Sequence, residues 1–117
     1  MKRDDKVYLQ DILEAIHIIM EHIGEKTSFE FSQSLLLQDA VIRRFEIIGE
    51  ATQHLSADLK SKHPEIKWKF LRNFRNELAH EYFGISATTI YQTIINDLPA
   101  LKIQIELLLS QLNKKIP

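Results

Sequence analysis

Apolar residues recur along the chain with the spacing of amphipathic helices. The first helical segment is predicted to begin at Asp4 or Asp5 as N-cap and to end near Gly24. No stretch alternates apolar and polar residues for long enough to predict a strand, so we expect an all-α domain. The apolar stripe of this first segment comprises Leu9, Ile12, Leu13, Ile16, Ile19, Met20 and Ile23.

A second long helix, from about Ser34 to Leu55, follows a short capped turn at Thr27 and Ser28. Its apolar face is wider than a surface helix needs, because two stripes lie side by side on it. We therefore expect this helix to be either central in its own fold or shared with a second subunit. The stripes are Leu37, Val41, Ile48 and Leu55 in one, and Leu36, Ala40, Ile47 and Ala51 in the other.

Two further helices are predicted before residue 85. Ser56 caps a short helix that must end before Pro64, since a residue preceding proline is disfavoured in the helical region. The next helix is predicted from Ile66 to Phe83, with Gly84 as its stop.

The C-terminal part begins a helix at Ser86 and carries apolar residues spaced alternately four and three. Pro99 lies within this pattern and predicts either a kink or a new helix with proline in its first turn. The whole pattern predicts an all-helical domain of four to five main helices with shorter ones between them. The C-terminal apolar residues are Ile94, Leu98, Leu101, Ile105, Leu108 and Leu112.

The composition fits a single domain over residues 1–117, in a chain of 117 residues with a formal charge of -1. The chain contains no cysteine, which excludes disulfides and thiolate metal sites and fits a reducing cytoplasm. The N-terminal segment, broken by Asp11 and Glu14, predicts neither a signal peptide nor a membrane span. No cofactor motif is present, and the histidines have no spacing that predicts a metal site.

Positive charge is concentrated in one region although the chain as a whole is almost neutral. Between residues 60 and 75 the only anion is Glu65. A basic stretch is usually a solvated face, but this one leads into a polar cluster, so an anionic ligand is a reasonable hypothesis. The cations are Lys60, Lys62, Lys67, Lys69, Arg72 and Arg75.

The polar cluster is the segment Arg72-Asn73-Phe74-Arg75-Asn76-Glu77-Leu78-Ala79-His80-Glu81-Tyr82. At about 100° per residue, one arc of its helix faces the core and a second carries polar side chains around the small Ala79. The core arc holds Leu71, Phe74, Leu78 and Tyr82. The polar arc holds Arg75, Ala79, Arg72, Phe83, Asn76 and His80.

These side chains suit the cleavage of RNA without a metal. A base must take the proton of the ribose 2′-hydroxyl, an acid must protonate the departing 5′-oxygen, and a cation must stabilise the transition state. His80 can act as base or acid and Arg75 as the cation, with Asn76 between them. Arg72 and Lys69 would add charge for RNA binding. Two copies of the helix would supply a second histidine.

Structural explanations for the same residues remain open. A histidine near a helix C-terminus often serves as a partner for the helix dipole, and Arg72 and Arg75 can pair with Glu77, Glu81 or acids of the first helix. By geometry alone Tyr82 is a partly buried core tyrosine. His80 and Tyr82 are about 200° apart on one helix, so they meet only if the helix loosens or if a dimer completes the site.

The segment Arg75 to Tyr82 resembles the Arg-x4-His-x-Tyr motif of the HepT toxins, which belong to the HEPN superfamily of helical ribonucleases. The segments Asp39-Ala40-Val41-Ile42-Arg43-Arg44, Ile47-Ile48-Gly49-Glu50-Ala51 and Trp68 through Gly84 are similar to that family as well, so the resemblance covers nearly the whole chain.

The resemblance implies an up-down, HEPN-like helical bundle that forms a homodimer and cuts RNA without a metal in a cleft between two motif helices. It implies that Arg75 and His80 are the catalytic pair, with Asn76 beside them. It also implies a toxin–antitoxin system in which a nucleotidyltransferase antitoxin neutralises the toxin by transferring AMP to Tyr82. The alternative is a non-catalytic helical module that binds a nucleotide or the nucleotidyltransferase.

Overall fold

Six α-helices form the part of the chain that the structure, a computed structural model, describes, namely residues 4–80 and 86–114. No strand occurs within these two ranges, which confirms the predicted all-α class and bundle. The helices are α1 (Asp5–Ile23), α2 (Ser28–Ser32), α3 (Leu35–His54), α4 (Ala57–Lys62), α5 (Trp68–His80) and α6 (Ala87–Lys114).

Polar caps fix where the first four helices begin. Asp4 accepts a hydrogen bond from the backbone N–H of Lys6, and Thr27 forms a reciprocal capping box. Ser34 and Ser56 cap α3 and α4 in the same way, through their hydroxyl oxygens. A side-chain acceptor at this position satisfies one of the unpaired N–H groups of the first turn. All four positions agree with the sequence prediction.

Helix α3 lies between α1 on one side and α5 on the other. Against α1, the rings of Tyr8 and His54 stack with centroids 5.3 Å apart. Against α5, the rings of Phe45 and Phe74 meet edge to face at 5.0 Å. Helix α6 packs on α1 and α2 and completes the core. The first of the two alternatives for the broad face of α3, a central position, is therefore confirmed.

The N-terminal end of α3 is exposed, in contrast to its centre. Leu35 and Leu36 are 73% and 83% exposed, and Phe29 of α2 is 71% exposed. Leu36 therefore departs from the predicted buried stripe.

Helix α6 is continuous over 28 residues, with Pro99 inside it. Of the two predicted alternatives, the one of a new helix with proline in its first turn is wrong. Proline removes only the N–H that would bond to the carbonyl of Ile95, and both residues lie on the exposed face, where water can reach that carbonyl. The buried stripe from Ile94 to Leu109 continues past it and holds the helix against the core.

None of the helices in residues 4–80 and 86–114 combines the length and apolar character needed to cross a membrane.

Helix α5 begins at Trp68 rather than at Ile66, because Ile66 closes a turn by donating its N–H to the carbonyl of His63 at 3.2 Å. Its predicted end at Phe83 and Gly84 lies outside the described residues.

Candidate active site

Helix α5 presents the two arcs that the sequence predicts, as far as its side chains are described. Leu71, Phe74 and Leu78 are buried against the core. On the other side Arg72 and Asn76 are exposed. The core arc is thereby confirmed for three of its four members, and the fourth, Tyr82, lies outside the described residues.

Arg75 occupies an unexpected environment, because its side chain begins at the contact between α5 and α3. A Cβ built on Gly49 of α3 would overlap the Cβ of Arg75, and it would lie 2.6 Å from the Arg75 Cγ and 3.2 Å from the carbonyl oxygen of Leu71. Only glycine therefore fits at position 49. The absence of a side chain there lets the two helices approach closely, and α3 covers the base of the Arg75 side chain.

The guanidinium group of Arg75 is only partly satisfied. Its Nη1 donates to Oδ1 of Asn76 at 3.2 Å, so the two side chains are oriented together. Its Nε is buried and has no hydrogen-bond acceptor among the described residues. Buried N–H groups are nearly always paired, and one without an acceptor costs about 1–3 kcal/mol. The Arg75 side chain therefore combines a buried base with a terminal Nη1 that is oriented by Asn76.

The arginines of α5 are not neutralised by neighbouring acids within the described ranges. Neither Arg72 nor Arg75 forms an ion pair there, although Glu77 is on the same helix. The explanation that Glu77 pairs with them is therefore not supported, and the one that invokes Glu81 lies outside the described residues. The guanidinium groups of Arg72 and Arg75 therefore have N–H donors that an anion could accept from.

His80 is the last residue of α5 within the described ranges. It follows Asn76 by one turn, which places both on the same side of α5. Nothing in the described residues tests the catalytic roles predicted for Arg75, Asn76 and His80. The relation between His80 and Tyr82 also lies outside them.

A basic cleft lies beside this site, between α3, α4 and α5. It has a volume of about 230 Å³ and is lined by Thr52, Gln53, Lys60, Trp68, Lys69 and Arg72. Three of the six lining side chains are cations and none is an acid. The structure thus brings Lys69 and Arg72, both predicted to bind RNA, into one concave surface with a third cation.

The remaining cations of the basic region are distributed elsewhere. Lys62 forms an ion pair with Asp58 at 3.1 Å, and Lys67 lines a separate cavity with Phe70 on the other side of α5. Of the six cations in the basic stretch, the structure therefore brings three, Lys60, Lys69 and Arg72, to the cleft.

No group of three or more histidine or acidic side chains within the described ranges is arranged to hold a metal ion.

Sequence reasoning did not assign two residues of this region, Gly49 and Lys60, to the site. Glycine in the interior of a predicted helix is a recognised signal for close backbone approach, so Gly49 carried a usable sign. Lys60 was named only as one of six cations in the basic stretch, and its place in the cleft depends on how α4 lies beside α3 and α5.

Comparisons with known proteins match one family over most of the chain. The model of the family described as ribonuclease HepT-like matches residues 12–108. No solved structure matches the chain significantly.

Several relatives have names that refer to ribonucleases. A Thermococcus cleftensis protein named as a probable ribonuclease HepT is 43% identical over 102 residues, covering 87% of this chain and 93% of the relative. A Methanocaldococcus jannaschii protein named as a gamma-glutamylcyclotransferase and candidate RNase is 40% identical over 114 residues. That match covers 97% of this chain and 51% of the relative, so the chain spans about half of that longer protein.

We predict that Gly49→Ala lowers the free energy of unfolding by about 1–3 kcal/mol, because the added methyl group meets the Cβ of Arg75 and forces the helices apart. Alanine would otherwise stabilise a helix interior by about 1 kcal/mol relative to glycine. Urea unfolding measures the difference. The neighbouring exposed Glu50→Ala is the control and should change stability by less than about 0.5 kcal/mol. A stabilised Gly49→Ala variant would contradict the close approach.

Proposed function

This chain belongs to the HepT-like ribonuclease family, and from that premise we propose that it is a metal-independent RNA endonuclease with its active site on α5. The observation that carries the proposal is the environment of the Arg75 side chain. The base of its side chain lies against Gly49 of α3, its Nη1 donates to Asn76, and its Nε is buried without an acceptor among the described residues.

In this proposal a phosphodiester group of RNA accepts hydrogen bonds from the terminal N–H groups of the Arg75 guanidinium. The planar guanidinium presents several N–H donors in a geometry that matches two oxygens of one phosphate. The reaction adds negative charge to those oxygens as the 2′-oxygen attacks phosphorus. A cation already fixed at that place stabilises the transition state more than a mobile one does, because it needs no reorganisation.

The proposed reaction breaks the bond between phosphorus and the 5′-oxygen of the next nucleotide. A base removes the proton of the 2′-hydroxyl, the 2′-oxygen bonds to phosphorus, and an acid protonates the leaving 5′-oxygen. The products are a 2′,3′-cyclic phosphate and a 5′-hydroxyl. In this proposal His80 is the base or the acid, Arg75 stabilises the charge, and Asn76 orients Arg75.

Two proton transfers with a single histidine per α5 favour a homodimer. A two-fold axis that brings two α5 helices together would place the second His80 in the same cleft. Arg72 and Asn76 of the polar arc are exposed, so in this proposal they face the cleft. We include the homodimer in the proposal for this reason and because the resemblance to the HepT toxins implies it.

The biological role proposed is that of a cytoplasmic toxin controlled by a nucleotidyltransferase antitoxin. Tyr82 occupies the motif position at which the family resemblance implies transfer of AMP from ATP. An adenylate there adds bulk and negative charge two residues after His80. Both would oppose the binding of RNA to a site that is lined by arginines.

We expect His80→Ala to relieve the growth inhibition caused by expression of the protein, because the proposed proton donor or acceptor is lost. Colony counts after induction measure this, and circular dichroism and light scattering check fold and dimer. The control, His22→Ala on the exposed face of α1, should stay toxic. A His80→Ala variant as toxic as the wild type would refute the catalytic role.

We also expect the partner nucleotidyltransferase and ATP to add AMP units to the protein at Tyr82. Intact-mass measurement should show the increments in the wild type and in the control Tyr91→Phe. In the wild type the Tyr91 hydroxyl donates a hydrogen bond to the carbonyl of Lys26, so it is not the expected acceptor of AMP. Tyr82→Phe should show none. If its mass still increases, another hydroxyl is the acceptor and the proposed control point is wrong.

A further inference from the structure

The cleft between α3, α4 and α5 has the composition of a phosphate-binding surface. Lys60, Lys69 and Arg72 line it, and the other lining residues, Gln53 among them, are uncharged. For a chain with a formal charge of -1, three cations around about 230 Å³ without a carboxylate is a marked local concentration. Clefts lined by one sign of charge attract ligands of the opposite sign.

The side chains of the cleft are partly fixed by bonds to the protein. The Nζ of Lys60 donates to the carbonyl oxygen of Thr52 at 3.2 Å, near the C-terminal end of α3. An ammonium group has three donors, so two remain for a ligand. Trp68 forms one wall and is held by its Nε1, which donates to the carbonyl of His63 at 3.0 Å.

The cleft continues the polar arc that contains Arg75. At about 100° per residue, Trp68, Lys69 and Arg72 fall within about 120° of Arg75 on the same side of α5. Arg72 precedes Arg75 by three residues, which is ~4.5 Å along the helix axis, and Lys69 by six, which is ~9 Å. A strand that places one phosphate at Arg75 can therefore extend along α5 into the cleft.

We propose that this cleft binds the RNA backbone at a phosphate adjoining the one that is cut, with Lys60, Lys69 and Arg72 as its ligands. The subsite rests on the proposed RNA cleavage and adds Lys60, a residue of a different helix, to the machinery. Its contribution is to affinity and position. It makes no contact with the reacting atoms, so it should act on RNA of any sequence.

The test measures binding of a fluorescein-labelled single-stranded RNA to the full-length His80→Ala protein at several salt concentrations. Each phosphate contact with single-stranded nucleic acid adds about 0.7 to the slope of log affinity against log salt, so one lost contact costs about fivefold at ~0.1 M salt. We expect that loss from Lys60→Ala and from Lys69→Ala, while Lys60→Arg keeps the affinity.

The matched control is Lys62→Ala, which removes a lysine from the same short helix but outside the cleft, where it pairs with Asp58. It should leave affinity and salt slope unchanged. Because Lys60 also bonds to the backbone of α3, urea unfolding of each variant checks that the fold persists, and Lys69→Ala, an exposed change, tests the cleft without that bond.

Two results would overturn the subsite. If Lys60→Ala and Lys69→Ala bind RNA like Lys62→Ala while the wild type still cleaves RNA, the cleft is not part of the RNA site and the proposed function stands. If RNA affinity is unchanged but capture of the nucleotidyltransferase is weakened, the cleft binds the protein partner instead. A wild-type protein that neither binds nor cleaves RNA would refute the proposed function itself.

Discussion

The close approach of α3 and α5 at Gly49 is the constraint on which the rest of the site depends. Because position 49 has no side chain, the backbone of α5 at Leu71 and the stem of Arg75 lie directly against α3. Phe45 and Phe74 pack edge to face on the same helix pair. A wider spacing would leave Arg75 as one more solvated arginine. The observed spacing instead buries its Nε and directs its Nη1 to Asn76.

The electrostatics of the proposed site are local. The chain is nearly neutral as a whole, so attraction of an anionic polymer cannot come from its net charge. At ~0.1 M salt, exposed charges act over a Debye length of about 10 Å, which is close to the span of α5 from Lys69 to Arg75. Lys62 pairs with Asp58, and Lys67 lines a different cavity. Among the cations between residues 60 and 75, those that share a surface near Arg75 are therefore the three of the cleft.

Local rules in the sequence account for the helices and their caps. Asp4, Thr27, Ser34 and Ser56 begin helices because their oxygens satisfy free N–H groups, and the spacing of isoleucine and leucine selects the buried faces. The sequence left two alternatives at Pro99, because the cost of proline depends on whether the carbonyl it leaves unpaired is exposed, which is a tertiary property.

For the site as well, features set by local sequence could be predicted, and features set by the packing of helices could not. The polar arc of α5 follows from helix periodicity, and the roles of Arg75, Asn76 and His80 follow from chemistry and family resemblance. The burial of the Arg75 Nε and the arrival of Lys60 from α4 depend on how three helices pack, which no spacing within one helix encodes. The glycine in α3 was the only local sign of that packing.

Cleavage of RNA by purified protein in EDTA tests the central claim most directly, with the wild type, Arg75→Ala and the control Arg43→Ala, an exposed arginine of α3, assayed side by side. The account predicts products with 2′,3′-cyclic phosphate ends from the wild type and the control. It predicts a rate at least about a hundredfold lower for Arg75→Ala, the usual cost of removing a group that stabilises the transition-state charge. A wild type that cuts RNA only with added metal, or an Arg75→Ala variant as fast as the wild type, would contradict it.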